Sequence, residues 1–218
     1  MRKHQSALIS FALIGVATAI SLICYSALPD PMTTHWDAAG KPNGSMSRAV
    51  GASFAPVLMI VLYIILRLSP RIDPRRATLE ALLPFYDAFI PTMMGFLLYV
   101  HMITLGWNLG WRINIGAALA PGIAAIFYVI GVLTERSTPN WFVGVRTRWT
   151  LSNDEVWRKT NTLAGRLFKW SALPMLLAVF FPQLTVVFVL VPALGIGLGT
   201  VIYSYVLFRR IERAQHNN

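Results

Sequence analysis

Residues 170–208 read WSALPMLLAVFFPQLTVVFVLVPALGIGLGTVIYSYVLF, thirty-nine positions without a Lys, Arg, Asp or Glu. A helix rises about 1.5 Å per residue and bilayer hydrocarbon is about 30 Å thick, so about 20 apolar residues cross it. The tract is too long for one crossing. Pro182-Gln183 interrupts it near the middle, which predicts a tight helical hairpin. Four further apolar runs precede it, Ala7–Leu28, Val50–Leu66, Ala88–Leu105 and Ile113–Leu133. The expected fold is therefore all-α, a polytopic membrane protein with six transmembrane helices.

Composition supports this solvent. The chain has 218 residues, 56% of them hydrophobic, and a mean hydropathy of +0.57. A soluble domain of this size has too little interior to hide so much apolar surface. The net charge of +10 raises the question of nucleic acid, but the basic residues are spread over connections and form no soluble basic domain. All but three of the 19 Lys and Arg fall in the amino-terminal tail, in alternate connections or in the carboxy-terminal tail. Only Lys41, Arg48 and Arg112 lie elsewhere. Cytoplasmic loops retain Lys and Arg, so both termini are expected in the cytoplasm. Attraction to anionic membrane lipids follows, and no direct nucleic-acid binding is expected. The first span reads as an uncleaved signal anchor. Cys24 is the single cysteine, so an internal disulfide is excluded.

The organisation expected is one integral membrane domain over residues 1–218. Its amino-terminal half, 1–106, carries an extracytoplasmic loop, 29–48. Its carboxy-terminal half, 107–218, carries a cytoplasmic segment, 134–169. The outer loop, rich in Pro and Gly, is long enough to form an ordered lid. Asn43-Gly44-Ser45 matches a glycosylation acceptor, a pattern common by chance. In the cytoplasmic segment, Ser152-Asn153-Asp154-Glu155 reads as a capping box that starts a helix at Ser152. Val156, Thr160, Leu163, Ala164 and Leu167 then make an apolar stripe opposite Arg158, Lys159, Thr162, Arg166 and Lys169. That pattern predicts an amphipathic helix on the inner membrane surface, running into the fifth span. The seven Trp avoid mid-span positions, as indoles of the headgroup zone do. Gly195 and Gly199 form a small-xxx-small pair suited to close helix packing.

Few residues can carry chemistry. Asp87 and His101 are the ionisable groups of the third span, where such groups are costly and often functional. Asp87 is expected to pair with Arg75 or Arg76, and His101 to hydrogen-bond a neighbouring helix. As coupling groups they would instead serve a small-solute or peptide transporter. His35 and Asp37 are too few for a metal site and are expected to pin the turn ending at Gly40. No nucleophile–base, zinc or phosphate-loop motif occurs, so no enzyme activity is expected.

Two stretches are familiar. Asn140–Phe168, NWFVGVRTRWTLSNDEVWRKTNTLAGRLF, resembles the signature of the SdpI family of bacterial immunity proteins, through Asn140, Gly144, Val145, Arg146, Thr147, Trp149, Thr150 and Leu151, then Trp157, Thr160, Asn161 and Gly165. Asn161 stands where His is common. The outer loop is similar to the family's extracytoplasmic segment through Leu28, Pro29, His35, Trp36, Asp37, Gly40, Pro42 and Asn43. The resemblance implies an immunity and signalling protein that counters a secreted peptide toxin, holds a cytoplasmic transcriptional repressor at the membrane and uses no cofactor. It implies ligand contact at His35, Trp36, Asp37 and Gly40. It implies signalling through Asn140, Gly144, Arg146, Thr147, Trp149, Thr150, Trp157 and Thr160, with a hinge around Gly144–Thr147.

Overall fold

The computed structural model describes residues 3–75, 80 and 82–216. Its helices are α1 (Lys3–Cys24), α2 (Arg48–Ile72), α3 (Leu83–Asn108), α4 (Ile115–Glu135), the short α5 (Arg148–Ser152), α6 (Asp154–Leu176) and α7 (Thr185–His216). Loop 29–48 is not purely irregular. It forms an antiparallel hairpin, β1 (Met32–Trp36) and β2 (Pro42–Met46), so the all-α expectation is corrected by one small sheet. The strand sequence MTTHW is β-branched and aromatic, and Asp37–Gly40 supplies the turn.

Among the described residues five helices are long and apolar enough to cross a membrane: Lys3–Ala27, Arg48–Ile72, Leu83–Asn108, Ile115–Glu135 and Pro182–Gln215. The chain is an all-α polytopic membrane protein apart from the hairpin. Its packing is that of a lipid-solvated bundle. On α1 the large residues Leu8, Phe11, Leu22 and Ile23 face outward, while Ser6, Ser10, Ala17 and Ser21 are buried. Lipid is as apolar as Leu, so helix association favours small side chains that let backbones approach.

The tract expected as the fifth span is joined to the helix before it, as the sequence predicts. It continues the helix that begins at Asp154, then turns through 3-10 segments at Leu177–Val179 and Pro182–Leu184 into α7. The second half of α6 lies along α4. Gly131 meets Gly165, Ala124 clusters with Ala172 and Met175, and Gly116 adjoins Thr185. A Cβ on Gly131 would stand 2.7 Å from Gly165 O, and one on Gly165 would stand 2.6 Å from Glu135 N. Only glycine fits at that crossing. A Cβ added at Gly195, Gly197 or Gly199 would meet nothing within 4 Å among the described residues, so the pair expected to pack helices makes no close crossing with them.

The first half of α6 is two-sided as expected, with Arg158, Lys159 and Arg166 exposed, but its buried stripe faces protein rather than lipid. Val156, Trp157, Thr160, Asn161, Ala164 and Gly165 are buried against protein, and Leu167 is exposed. A stripe containing Thr160 and Asn161 is too polar to prefer lipid and finds partners in the preceding loop. Asn153, not Ser152, caps the helix, its carbonyl accepting from Glu155 N and Val156 N, both at 3.0 Å. Ser152 ends α5 instead.

Candidate functional site

The hairpin is built on local hydrogen bonds and hung from α3. Asp37 Oδ1 accepts from Ala39 N and Lys41 N at 2.9 Å each, and Gly40 adopts φ +75°. Asp37 thus pins the turn as expected. His35 takes no part in pinning it, since its Nδ1 contacts Thr34 Oγ1 at 2.9 Å and its ring lies over Gly44. Asn108, at the end of α3, is an anchor that the sequence does not announce. Its Oδ1 accepts from Thr33 N and its Nδ2 donates to Thr33 O, both at 2.8 Å. A primary amide carries donor and acceptor side by side, so it pairs with a strand as another strand would. Met32 is fully buried against Gly51, and Trp36 meets Trp107 edge-on at 5.8 Å.

Beneath the hairpin is a cavity of about 340 Å³. The hairpin residues Thr34–Gly40 form one wall, and α3, α4 and the turn into α7 form the others, through Val100, Ile103, Ile115, Leu119 and Val186 among others. His35, Trp36, Asp37 and Gly40, the four residues implied for ligand contact, all line it. Trp36 Nε1 is buried and has no hydrogen-bond partner among the described residues. A buried N–H without an acceptor costs about 1–3 kcal/mol. The site therefore offers largely apolar walls, while the indole N–H of Trp36 is turned into the protein. Among the described residues no three His, Cys, Asp or Glu gather as a metal site would need.

The two ionisable groups of α3 lie at its opposite ends and are both engaged. His101 is 2% exposed, with Nε2 at 2.7 Å from Ser21 Oγ. Ser21 Oγ also lies 2.8 Å from Ala52 O, so the serine bridges the imidazole to α2. The network joins α1, α2 and α3, as expected of a neighbour-bonded His. Asp87 corrects its expectation: its Oδ1 lies 2.7 Å from Arg67 Nη1, not against Arg75, and Arg76 is outside the described residues. Arg67 is one helix repeat from the end of α2 and faces α3, whereas Arg75 N is held by Asp73 and its guanidinium reaches Leu151 O. Asp87 lines a second cavity, of about 480 Å³, with Lys3, Arg67, Arg71, Glu80 and Tyr86. His101 lines neither cavity.

At the Asp87 end, the segment before α6 is closed by a knot of hydrogen bonds. Asn140 is fully buried. Its Nδ2 donates to Thr138 O and Val143 O, and its Oδ1 accepts from Phe142 N and Val143 N at 2.8 and 2.7 Å. Gly144 has φ +112°, a left-handed conformation that disfavours side chains, and a Cβ there would run into Asn161 Oδ1. Asn161 Oδ1 accepts from Val145 N at 2.6 Å. Thr147 and Thr150 form the reciprocal cap of α5, and Thr150 Oγ1 also donates to Val145 O. Trp157 is 1% exposed and donates from Nε1 to Ser137 O at 3.0 Å, so it is a core residue and not a headgroup anchor. Thr160 is buried with no partner for Oγ1 among the described residues.

Contacts from the residues after α2 and from α7 attach the knot to the rest of the molecule. Asp73, which carries no signal in the sequence, is 3% exposed and accepts from Trp141 N at 2.9 Å. Trp149 stacks on Tyr205 at 5.0 Å, and Thr147 Oγ1 meets Ser204 Oγ at 3.1 Å, both on α7. Arg146 and Arg148 remain on the surface. Arg146 donates to Trp141 O, and the Arg148 guanidinium lies over the Trp149 ring at 5.0 Å.

Comparison with known proteins meets this geometry at both ends. A family model described as the SdpI/YfhL protein family matches residues 136–205, which hold the knot, α6 and most of α7. A second, described as a domain of unknown function (DUF1648), matches residues 12–60, which hold the hairpin. Immunity protein SdpI of Bacillus subtilis (strain 168) is 24% identical over 168 residues, covering 77% of this chain and 76% of that protein. No solved structure matches. The knot residues lie within the matched stretch, and this multi-pass cell-membrane protein is similar there to the SdpI/YfhL protein family.

Proposed function

We propose that this protein confers immunity to a secreted peptide toxin, meeting it in the cavity beneath the hairpin. The reading takes six crossings with both termini in the cytoplasm, which turns the hairpin outward and the knot inward. The placement of Lys and Arg supports it, as does the alignment of α6 along α4 from Gly165 to the turn beside Gly116. The observation that carries the function is the largely apolar cavity roofed by His35, Trp36, Asp37 and Gly40. A peptide entering a membrane presents apolar side chains, which match those walls. Arg146 and Arg148 on the knot surface suit an acidic patch on a cytoplasmic repressor, because guanidinium forks pair with carboxylates.

The test is survival of Bacillus subtilis cells that lack SdpI, carry this protein and are challenged with the toxin that SdpI counters. Wild type restores survival. Trp36→Ala removes it at unchanged membrane level, and Trp36→Phe, which keeps the ring and loses the N–H, retains part of it. Full protection by Trp36→Ala overturns the cavity as the meeting point. No protection by wild type at normal membrane level overturns immunity to this toxin. Arg146→Ala with Arg148→Ala leaves survival intact and releases a tagged repressor from the membrane fraction; continued recruitment removes the arginines from signalling.

A further inference from the structure

Beyond the crossing at Gly131 and Gly165, α4 and the second half of α6 leave a groove of about 530 Å³, within the range of small-molecule sites. Its floor is made by alanines, Ala124 and Ala125 from α4 and Ala172 from α6. Ala125 is exposed, so the groove opens away from the bundle, on helices apolar enough to stand in a membrane. One end is polar. Lys169 and Trp170 line it, and Tyr128 stands beside them.

Charge at that end does not cancel. Glu135 binds both Lys169 Nζ and Arg166 Nε, the latter at 3.3 Å, so two cations share one carboxylate. The Arg166 side chain is 65% exposed, and its terminal nitrogens make no other bond among the described residues. Tyr128 is 53% exposed and Trp170 69%, and neither polar tip has a partner among the described residues. A hydroxyl and an indole N–H facing hydrocarbon need acceptors.

We propose that this groove binds one anionic phospholipid. Its phosphate meets Lys169 and Arg166, its ester carbonyls accept from Tyr128 Oη and Trp170 Nε1, and one acyl chain lies over the alanines toward Leu176. Basic pockets between membrane helices select anionic headgroups, and this molecule alone supplies phosphate, carbonyl acceptors and hydrocarbon in the order the groove presents them. The proposal is independent of the toxin reading.

The test is native mass spectrometry of the full chain released from detergent after incubation with equal amounts of phosphatidylglycerol and phosphatidylcholine of the same acyl chains. The wild type retains one phosphatidylglycerol in preference to phosphatidylcholine. Ala125→Leu fills the groove from its open side, without entering the core, and weakens retention at least about tenfold. Arg166→Gln leaves the Lys169–Glu135 pair in place and narrows the preference between the two lipids. In thermal unfolding, phosphatidylglycerol raises the Tm of wild type and not of Ala125→Leu. Equal retention of both lipids by wild type, or undiminished retention by Ala125→Leu, overturns the proposal.

Discussion

The Asn161 amide closes the knot by accepting from Val145 N and donating to Trp157 O. Replacing it by Ala leaves a buried N–H unpaired and is expected to cost about 1–3 kcal/mol. His at this position retains an acceptor nitrogen and is expected to recover most of that loss. Thermal unfolding of the two variants in one detergent checks the order, and an Asn161→Ala as stable as wild type overturns the role. The residue scale is also where sequence reading is weakest. That Asp87 needs a partner follows from its place in an apolar run, but which arginine supplies it depends on the rotation of α2 against α3. Trp157 obeys the interfacial rule by position and is nonetheless core, because a short polar loop folds over it. Asn108 and Asp73 give no signal: an Asn at a helix end and an Asp before a Pro read as ordinary turn residues.

The elements divide by what holds them. The transmembrane helices are legible because hydrocarbon tolerates only apolar runs with paired backbones. The cap of α6 falls one residue later than the capping-box pattern predicts. Ser152 and Asn153 are both competent caps, and the choice goes to Asn153 once Ser152 is taken into α5. The hairpin depends least on its own sequence. Two strands alone are marginal in water, and this pair is held by Met32 under Gly51 and by the Asn108 amide. Asn108→Ala is therefore expected to raise amide hydrogen exchange at Thr33 and along β1 by about an order of magnitude, the equivalent of roughly 1.4 kcal/mol, while α3 itself stays protected. Unchanged exchange at Thr33 means that the hairpin stands without this anchor.

Across the whole molecule, the chain separates a hairpin end from an arginine-rich end, and the proposed topology sets these on opposite faces of the membrane. With Cys24 replaced by Ser, single cysteines at His35 and Arg146, both exposed, should react with a membrane-impermeant maleimide from opposite sides in intact cells and inverted vesicles. Labelling of both from one side overturns the six-crossing arrangement and, with it, the assignment of the cavity to the outer surface. The ends also bear on the transporter alternative. Asp87 and His101 are each satisfied within the protein, and the cavities at the two ends share no lining residue.

From the sequence alone came the solvent, the approximate spans and the gathering of basic charge in alternate connections, because transfer into hydrocarbon acts residue by residue on hydropathy and charge and needs no knowledge of neighbours. The two motif stretches are also visible in sequence, although their residues look there like a signalling surface. Tertiary structure decided that Asn140, Gly144, Thr150, Trp157 and Asn161 are mostly internal ties, that Arg146 and Arg148 remain outside, and that His35 through Gly40 roof a cavity. Those outcomes turn on hydrogen bonds and close approaches between segments far apart in the chain, Asn108 with Thr33 and Gly131 with Gly165, whose geometry no local pattern encodes.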